Sequence, residues 1–110
     1  MPGFRFGCVL AAAVSLLLAA CGGKQETRSD AEKGRTLYTL HCVTCHNPDP
    51  SRDGTLGPAV KGSSLELLEA RVLHAEYPPG YTPKRPTRIM QKLPLTPEDL
   101  TALHAFLNGL

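Results

Sequence analysis

The sequence predicts an all-α domain of about three helices. Apolar residues recur at helical spacing in three stretches, which begin near residue 30, near residue 65 and near residue 97. No β-branched, alternating run that would indicate a strand precedes the cysteines at positions 42 and 45. Proline and glycine are concentrated between these stretches, a composition typical of loops. The chain of 110 residues therefore has room for one small helical domain.

The first predicted helix begins near residue 30, where Ser29 or Asp30 is a suitable N-cap, and it runs into Cys42. Its apolar stripe consists of Leu37, Tyr38 and Leu40. Gly34 lies inside this helix, where a glycine costs roughly 1 kcal/mol relative to alanine. We therefore expect another helix to cross close to Gly34.

Two further helices are predicted downstream. Ser63 or Ser64 caps the second, which extends over about residues 65–74. Thr96 caps the third, which has Pro97 at its first position. The residues expected on the core faces of these two helices are Leu65, Leu68, Val72, Leu100, Leu103 and Leu107.

Residues 42–46 form a C-x-x-C-H motif, which is typical of covalent haem attachment. On one helical turn Cys42, Cys45 and His46 share a face, so both thiols can add to the vinyl groups of a haem while the imidazole coordinates its iron. A cysteine pair of this spacing is also typical of half a zinc site and of a redox-active dithiol. The remaining candidates for zinc ligands are the scattered histidines His41, His74 and His104. A redox dithiol is expected after a strand. We predict one haem c, bound through Cys42 and Cys45 and ligated by His46.

Residues 1–20 have the features of a signal peptide. Arg5 is their one charged residue, and the apolar run over residues 8–20 is shorter than the ~20 residues that span a bilayer as a helix. The Leu-Ala-Ala-Cys sequence that ends at Cys21 resembles the lipobox of bacterial lipoproteins, which implies cleavage before Cys21 and acylation of its sulfur. The alternative is a soluble secreted protein whose cleavage site happens to end in cysteine.

Residues 21–29 are predicted to be a lipidated N-terminus and a short flexible tether, because the segment is polar and contains two glycines. The folded domain is then residues 30–110. Lipoproteins retained at the inner membrane tend to have aspartate at the position of Gly22, so the outer membrane is favoured in a two-membrane cell. We expect the protein in the bacterial cell envelope, anchored to a membrane and facing the periplasm or the cell exterior.

The composition also limits the function. The formal net charge is +2, and the chain has no tryptophan, three tyrosines and three phenylalanines. A domain this small buries a limited fraction of its surface and usually needs additional stabilisation. A covalently bound haem would supply it as a large apolar group for the core to pack around. The sequence contains no nucleic-acid-binding motif, so no nucleic acid is expected as a partner.

The order of these features resembles a class I c-type cytochrome over residues 30–110. Gly34 and Tyr38 stand where this family has a glycine and, four residues later, an aromatic residue before the C-x-x-C-H motif. Leu103 and Phe106 match the leucine and the aromatic residue of its C-terminal helix. The resemblance implies the small cytochrome c fold, in which about three helices wrap around one covalently bound haem.

The resemblance also implies roles for Pro58 and Met90. Gly57 and Pro58 resemble the family's Gly-Pro pair, whose proline carbonyl accepts a hydrogen bond from the ligand histidine; the alternative is a plain turn. Met90 is the one methionine after the leader and stands shortly before the third helix, where the family has the distal ligand of the iron. The alternative for Met90 is a place in the core. His74 is a further candidate for the distal ligand, being otherwise a residue of the surface or of the propionate side.

With both axial positions of the iron filled, the expected function is that of a single-electron carrier rather than an enzyme. We expect a monomer that shuttles electrons between periplasmic or cell-surface redox proteins. The alternative is a haem-based enzyme subunit, or a sensor of gas or peroxide, with an open sixth position. The charges around Met90 are all basic, which predicts either steering of an acidic redox partner or neutralisation of the haem propionates. These residues are Lys84, Arg85, Arg88 and Lys92, with Tyr77 and Tyr81 as further candidates for propionate contacts.

Overall fold

The computed structural model describes residue 3 and residues 25–110, and all structural statements refer to these residues. The fold consists of three α-helices and one π-helical turn. The helices are α1 (Gln25–His41), α2 (Leu65–Leu68) and α3 (Pro97–Asn108), and the π turn (Glu69–Leu73) follows α2 directly. Residues 25–110 contain no strand, and the predicted all-α class is confirmed.

The helix α1 begins earlier than expected. It starts at Gln25, so residues 25–29 belong to the helix rather than to a flexible tether, and neither Ser29 nor Asp30 is its N-cap. This segment contains glutamine, glutamate and arginine, which are good helix formers, and each residue added to an existing helix gains a hydrogen bond. The predicted signal peptide and Cys21 lie outside the described residues. Within the described part of the chain, no helix is both long enough and apolar enough to cross a bilayer.

The helices α1 and α3 pack closely where Gly34 faces Ala102. A Cβ atom built on Gly34 would overlap the backbone carbonyl of Ala102 and would lie 2.8 Å from Cβ of Phe106. Only a residue without a side chain fits here, which explains a glycine inside a helix. The expected close crossing at Gly34 is therefore present, and α3 is the helix that crosses.

The core forms around this crossing. Leu100, Leu103 and Leu107 of α3 are each at most 2% exposed, as predicted for its inner face. Other buried side chains of the cluster are Tyr38, Leu68 and Val72. Two predicted core residues are exposed instead, Leu40 by 68% and Leu65 by 42%. Both stand at positions where the helix turns away from the core, so their apolar side chains alone did not place them inside.

Tyr38 joins the core to the chain beyond the motif. Its ring packs against Phe106 with centroids 5.6 Å apart, and its hydroxyl donates a hydrogen bond of 2.6 Å to the carbonyl of Asn47. Burial raises the pKa of Tyr38 to about 12, with smaller contributions from the nearby Cys42 and Asp49. The hydroxyl therefore stays protonated over the whole neutral range and keeps this bond.

The start of α3 is capped as the sequence predicts. Thr96 accepts a hydrogen bond from the backbone N–H of Asp99, whose carboxylate in turn accepts one from the backbone N–H of Thr96. The same carboxylate lies 3.0 Å from Nζ of Lys33 on α1. The backbone hydrogen bond from Thr96, followed by the one from Lys33, lowers the pKa of Asp99. One carboxylate thus caps α3 and contacts α1.

The second predicted helix is shorter and less regular than expected. Ser64 caps it, with its hydroxyl accepting a bond of 3.1 Å from the backbone N–H of Leu67, but after Leu68 the chain changes to the π turn. Ala75 then takes a left-handed backbone conformation with φ of 55°, which is strained for a residue that has a Cβ. The carbonyl of Val72 accepts a hydrogen bond of 2.9 Å from the N–H of Leu93. The irregular turn is thereby joined to the segment that carries Met90.

Candidate functional site

A cavity of about 300 Å³ lies between α1, the π turn and the two loops that follow residues 46 and 76. This volume is within the range of sites that bury a small organic ligand, roughly 300–1,000 Å³. Its walls include all five site residues that the sequence predicts within the domain, which are Cys42, Cys45, His46, Pro58 and Met90. The structure therefore brings together residues that are far apart in the chain.

The C-x-x-C-H motif forms a turn directly after α1. The helix ends at His41, but the N–H of Cys42 still bonds to the carbonyl of Tyr38, and the N–H of His46 bonds to the carbonyl of Cys42 at 2.8 Å. This last bond has the spacing of a helical turn, so the expected shared face is kept although the segment is not part of an α-helix. Cys42, Cys45 and His46 consequently line the same cavity.

Both cysteines of the motif are free and half-buried. Burial raises the pKa of the Cys42 thiol to about 11, and the neighbouring Cys45 adds to this rise. Redox-active dithiols have the opposite property, a lowered pKa that favours the thiolate. No group of three or more histidine, cysteine or acidic side chains that could hold a metal ion occurs among the described residues. The geometry therefore gives no support to the zinc or dithiol alternatives.

The ring of His46 is held by the loop that follows the motif. Its Nδ1 lies 2.8 Å from the carbonyl oxygen of Pro58. Because a carbonyl can only accept, Nδ1 carries the hydrogen, and Nε2 keeps a free lone pair with which to bind a metal. Gly57 lies directly against the ring, and a Cβ there would overlap His46. The carbonyl of Pro58 therefore makes the contact with His46 that the resemblance implies.

The same loop is bound back to the motif through its backbone. The carbonyl of Cys45 accepts hydrogen bonds from the N–H groups of Leu56 and Gly57, at 3.2 and 2.9 Å. The N–H of Gly54 bonds to the carbonyl of Gly57 at 2.8 Å and closes the turn. These bonds fix the position of Gly57, and therefore of Pro58, relative to His46.

Met90 lies on an irregular segment before α3. Its side chain is partly buried, packs against the core cluster and lines the cavity. A thioether here faces the same space as the imidazole of His46, as a distal ligand requires. His74, the other candidate, is exposed at the end of the π turn and is not among the cavity walls. The positions favour Met90 over His74.

The four basic residues near Met90 fall into two pairs. Lys84 donates a hydrogen bond of 2.8 Å from Nζ to the carbonyl of Ala59. Arg85 donates from Nη2 to the carbonyl of Gly54 at 2.9 Å, and from Nη1 to that of Thr55 at 3.3 Å. The second pair, Arg88 and Lys92, is exposed and does not line the cavity. The four residues therefore do not form one continuous basic border around the cavity.

Arg71 is a site residue that the sequence reasoning missed. The residue is only 9% exposed, and its side chain lines the cavity and takes part in no salt bridge within the described region. Its guanidinium lies 4.1 Å from the ring centroid of Tyr77, which stacks on Tyr81 at 5.5 Å. The hydrogen bond that it donates, to the carbonyl of Glu76, is long at 3.4 Å. The sequence feature that could have indicated its burial is its position on the inner face of the second helix, three residues after Leu68.

These features fit the predicted haem. The walls of the cavity are largely apolar, two free thiols stand beside a histidine whose tautomer is set for metal binding, and a thioether faces the same space. A buried guanidinium without a carboxylate partner suits an anionic group such as a propionate. The residues could hold the porphyrin through Cys42 and Cys45, and the iron through His46 and Met90.

One known protein family matches the chain. The family model described as Cytochrome c covers residues 31–110, which is more than half of the sequence. No curated protein and no solved structure matches it.

Proposed function

This chain belongs to the cytochrome c family, and on that premise we propose that it is a membrane-anchored, monohaem class I cytochrome that passes single electrons between redox proteins of the cell envelope. The protein is a c-type cytochrome with the small all-α fold, and it binds haem c covalently at a C-x-x-C-H motif. Haem-based electron transfer follows from the family. The number of haems, the iron ligands, the anchor and the partners are the parts that we propose.

The observation that carries the proposal is the meeting of His46, Pro58 and Met90 at one cavity. When bound, haem c supplies a one-electron couple. His46 presents Nε2 to the iron because its other ring nitrogen donates to Pro58, and this bond also makes the imidazole a stronger electron donor. Met90 presents a soft sulfur, which favours the reduced state and raises the potential relative to a second histidine.

With His46 and Met90 on the iron, no position is free for a substrate. The chain then needs no catalytic residue, and we propose that it is not an enzyme. Partial burial of the site acts in the same direction as the thioether, since a low dielectric disfavours the more highly charged oxidised centre. Met90 therefore has two functions, closing the site and adjusting its potential.

The surface beside Met90 supports transfer to an acidic partner. Leu56 and Ile89 both line the cavity and are 47% and 51% exposed, so apolar side chains border its opening. Arg88 and Lys92 are exposed on the same segment as Ile89. A short-lived electron-transfer contact needs a small apolar patch with charges around it, because complementary charges speed the encounter without strong binding.

The proposed anchor is supported by the sequence of the leader. Acyl chains on Cys21 would attach the chain lastingly, because each buried methylene adds about 0.8 kcal/mol and several chains act together. We expect the mature protein to lack residues 1–20 and to carry acyl chains and one haem, as measured by mass spectrometry. Cys21→Ser should remove the acyl chains from the mass spectrum of the protein while its haem spectrum stays unchanged. A wild-type protein without acyl chains at Cys21 would refute the anchor.

Ligand binding to the reduced protein tests the closed iron site. We expect carbon monoxide to leave the absorption spectrum of the wild type unchanged and to change that of Met90→Ala rapidly. Lys92→Ala is the matched control, since Lys92 is exposed on the same segment, does not line the cavity and should behave as wild type. Rapid binding by the wild type would show an open sixth position, and the protein would then be a haem-based enzyme subunit or a sensor.

The acidic-partner proposal has a separate test. The oxidation of the reduced protein by hexacyanoferrate, an anion, should slow as ionic strength rises, because salt screens attraction beyond about 10 Å at 0.1 M. Arg88→Gln should reduce the rate at low salt. Arg35→Gln, which removes an exposed charge from α1 away from the cavity, should have little effect. Equal rates at all salt concentrations would refute attraction of anions to this surface.

A further inference from the structure

We propose that Lys84 and Arg85 are positioning residues that hold Met90 at the iron, by joining the Met90 segment to the loop that orients His46. The two residues and their three carbonyl partners are called the clasp. The inference rests on the proposed ligation of the iron by Met90. It assigns to these residues the role of keeping Met90 bound to the iron, in place of steering a partner or binding a propionate.

One side of the clasp is the loop of residues 54–59. Its Gly57 touches the imidazole of His46, and its Pro58 accepts the hydrogen bond from Nδ1. The carbonyls that the clasp uses, those of Gly54, Thr55 and Ala59, lie on either side of this pair. The loop that orients His46 therefore also accepts the hydrogen bonds of Lys84 and Arg85.

The other side is the segment of residues 86–92, which contains Met90. The one hydrogen bond within it joins Gln91 to the neighbouring carbonyl of Ile89, and no other bond connects residues 86–92 to the rest of the described chain. The segment is anchored just before its start by Arg85 and just after its end by Leu93, whose N–H bonds to Val72. Met90 is thus held between two anchors, and the clasp is one of them.

The donors of the clasp suit this role. Both are charged, and hydrogen bonds from charged donors are stronger than those between neutral groups. The guanidinium of Arg85 is planar and reaches two carbonyls at once, which a lysine ammonium cannot do with the same fixed geometry. The side chain of Arg85 is also partly buried, so water replaces its hydrogen bond to Gly54 less readily than the exposed one of Lys84.

If the clasp is lost, the next hydrogen bond on the amino-terminal side is the local one from Tyr81 to Pro78. The free segment around Met90 then becomes longer, and its displacement from the iron becomes more frequent. An added ligand that competes with Met90 binds in proportion to the population of the displaced form. The affinity for such a ligand therefore measures how well the clasp holds.

Imidazole binding to the oxidised, haem-loaded full chain tests this inference. We expect Arg85→Gln to raise the apparent affinity for imidazole about tenfold, which corresponds to ~1.4 kcal/mol. Arg85→Lys, which keeps the charge but not the planar guanidinium, should raise the apparent affinity for imidazole by a smaller factor. Arg88→Gln is the matched control, because it removes the same charge three residues further along the chain without removing a hydrogen bond, and it should bind imidazole as the wild type does. If Arg88→Gln and Arg85→Gln have equal effects, charge alone is responsible and the clasp is refuted.

A double mutant separates the clasp from the ligation that it serves. In a Met90→Ala background the sixth position is already open, so adding Arg85→Gln should not change imidazole affinity further. If Met90→Ala alone has no effect, Met90 is not the ligand, and the proposed function fails together with the inference. If Met90→Ala opens the site but neither Arg85→Gln nor Lys84→Gln does, the clasp alone is refuted. Far-ultraviolet circular dichroism of each variant establishes that it is folded, and Lys84→Gln, at an exposed position, supplies the comparison if Arg85→Gln is unfolded.

Discussion

Replacing Gly34 with alanine tests whether the close crossing of α1 and α3 holds the domain together. In an isolated helix this change would be stabilising by about 1 kcal/mol, because glycine is the poorer helix former. In the folded protein the new methyl group meets the carbonyl of Ala102 and Cβ of Phe106. The carbonyl belongs to the backbone and cannot turn aside, so the helices must separate.

The size of the effect follows from the contacts that separation would weaken. Overpacking of a closed core costs roughly 1–3 kcal/mol. The contact between the rings of Tyr38 and Phe106 contributes roughly 0.5–1.5 kcal/mol beyond its area, and part of it would be lost. After subtraction of the gain in helix propensity, we expect the free energy of unfolding to fall by about 2 kcal/mol. For a domain of this size, the melting temperature should then fall by roughly 8–16 °C.

Thermal unfolding of the haem-loaded protein, followed by circular dichroism, measures this change. Thr36→Ala is the control, since Thr36 is exposed on the same helix and alanine there brings the propensity gain without a steric conflict. The control should melt at the wild-type temperature or slightly above it. If Gly34→Ala melts at or above the wild-type temperature, the two helices have room for a methyl group and the close crossing does not matter for stability.

Three further predictions concern single side chains. The pKa of Tyr38 is higher in the folded protein than its ordinary value of 10.0. The contribution of Tyr38 to the free energy of unfolding is therefore fully present below pH 10 and is lost as the pH rises through about 12. Chemical denaturation should show this loss in the wild type and a smaller one in Tyr38→Phe; equal losses would refute the assignment. Ala75→Gly should raise the free energy of unfolding by about 1 kcal/mol, since glycine adopts a φ of 55° without strain, and a decrease would contradict this. Arg71→Gln should lower the reduction potential by on the order of 60 mV, a tenfold change for one electron, because a buried cation disfavours the oxidised iron. An unchanged potential in voltammetry would place Arg71 away from the haem.

The parts of the site that depend on neighbouring residues could be predicted from the sequence. The C-x-x-C-H motif needs only the geometry of one turn, and the start of α3 follows from Thr96 and Pro97, whose capping interactions are local. The inner face of α3 was also predicted, because its leucines repeat at helical spacing over the whole element. Local rules were sufficient in these places since the turn of the motif, the capping interactions and the helical repeat are all set by residues close together in the chain.

Long-range contacts determine the parts that were not predicted. The basic residues near Met90 looked alike in the sequence, but Arg85 bonds to carbonyls thirty residues away and Arg88 does not. The π turn has no periodic signature, and it is joined by the bond from Leu93 to Val72, far along the chain. The burial of Arg71 depends on Tyr77, which the intervening strained turn at Ala75 brings over it. No local pattern carries this information.

The pairing of α1 with α3 also affects the order of folding. The two helices that pack at Gly34 come from opposite ends of the domain, with the whole cavity wall between them in sequence. The close packing at Gly34 therefore cannot form until α3 has been synthesised, and closing so long a loop is a slow step. Until then the thiol of Cys42 is not buried by the folded domain. This delay leaves the cysteines of the motif accessible for covalent chemistry during the time when the chain emerges, before the fold closes over them.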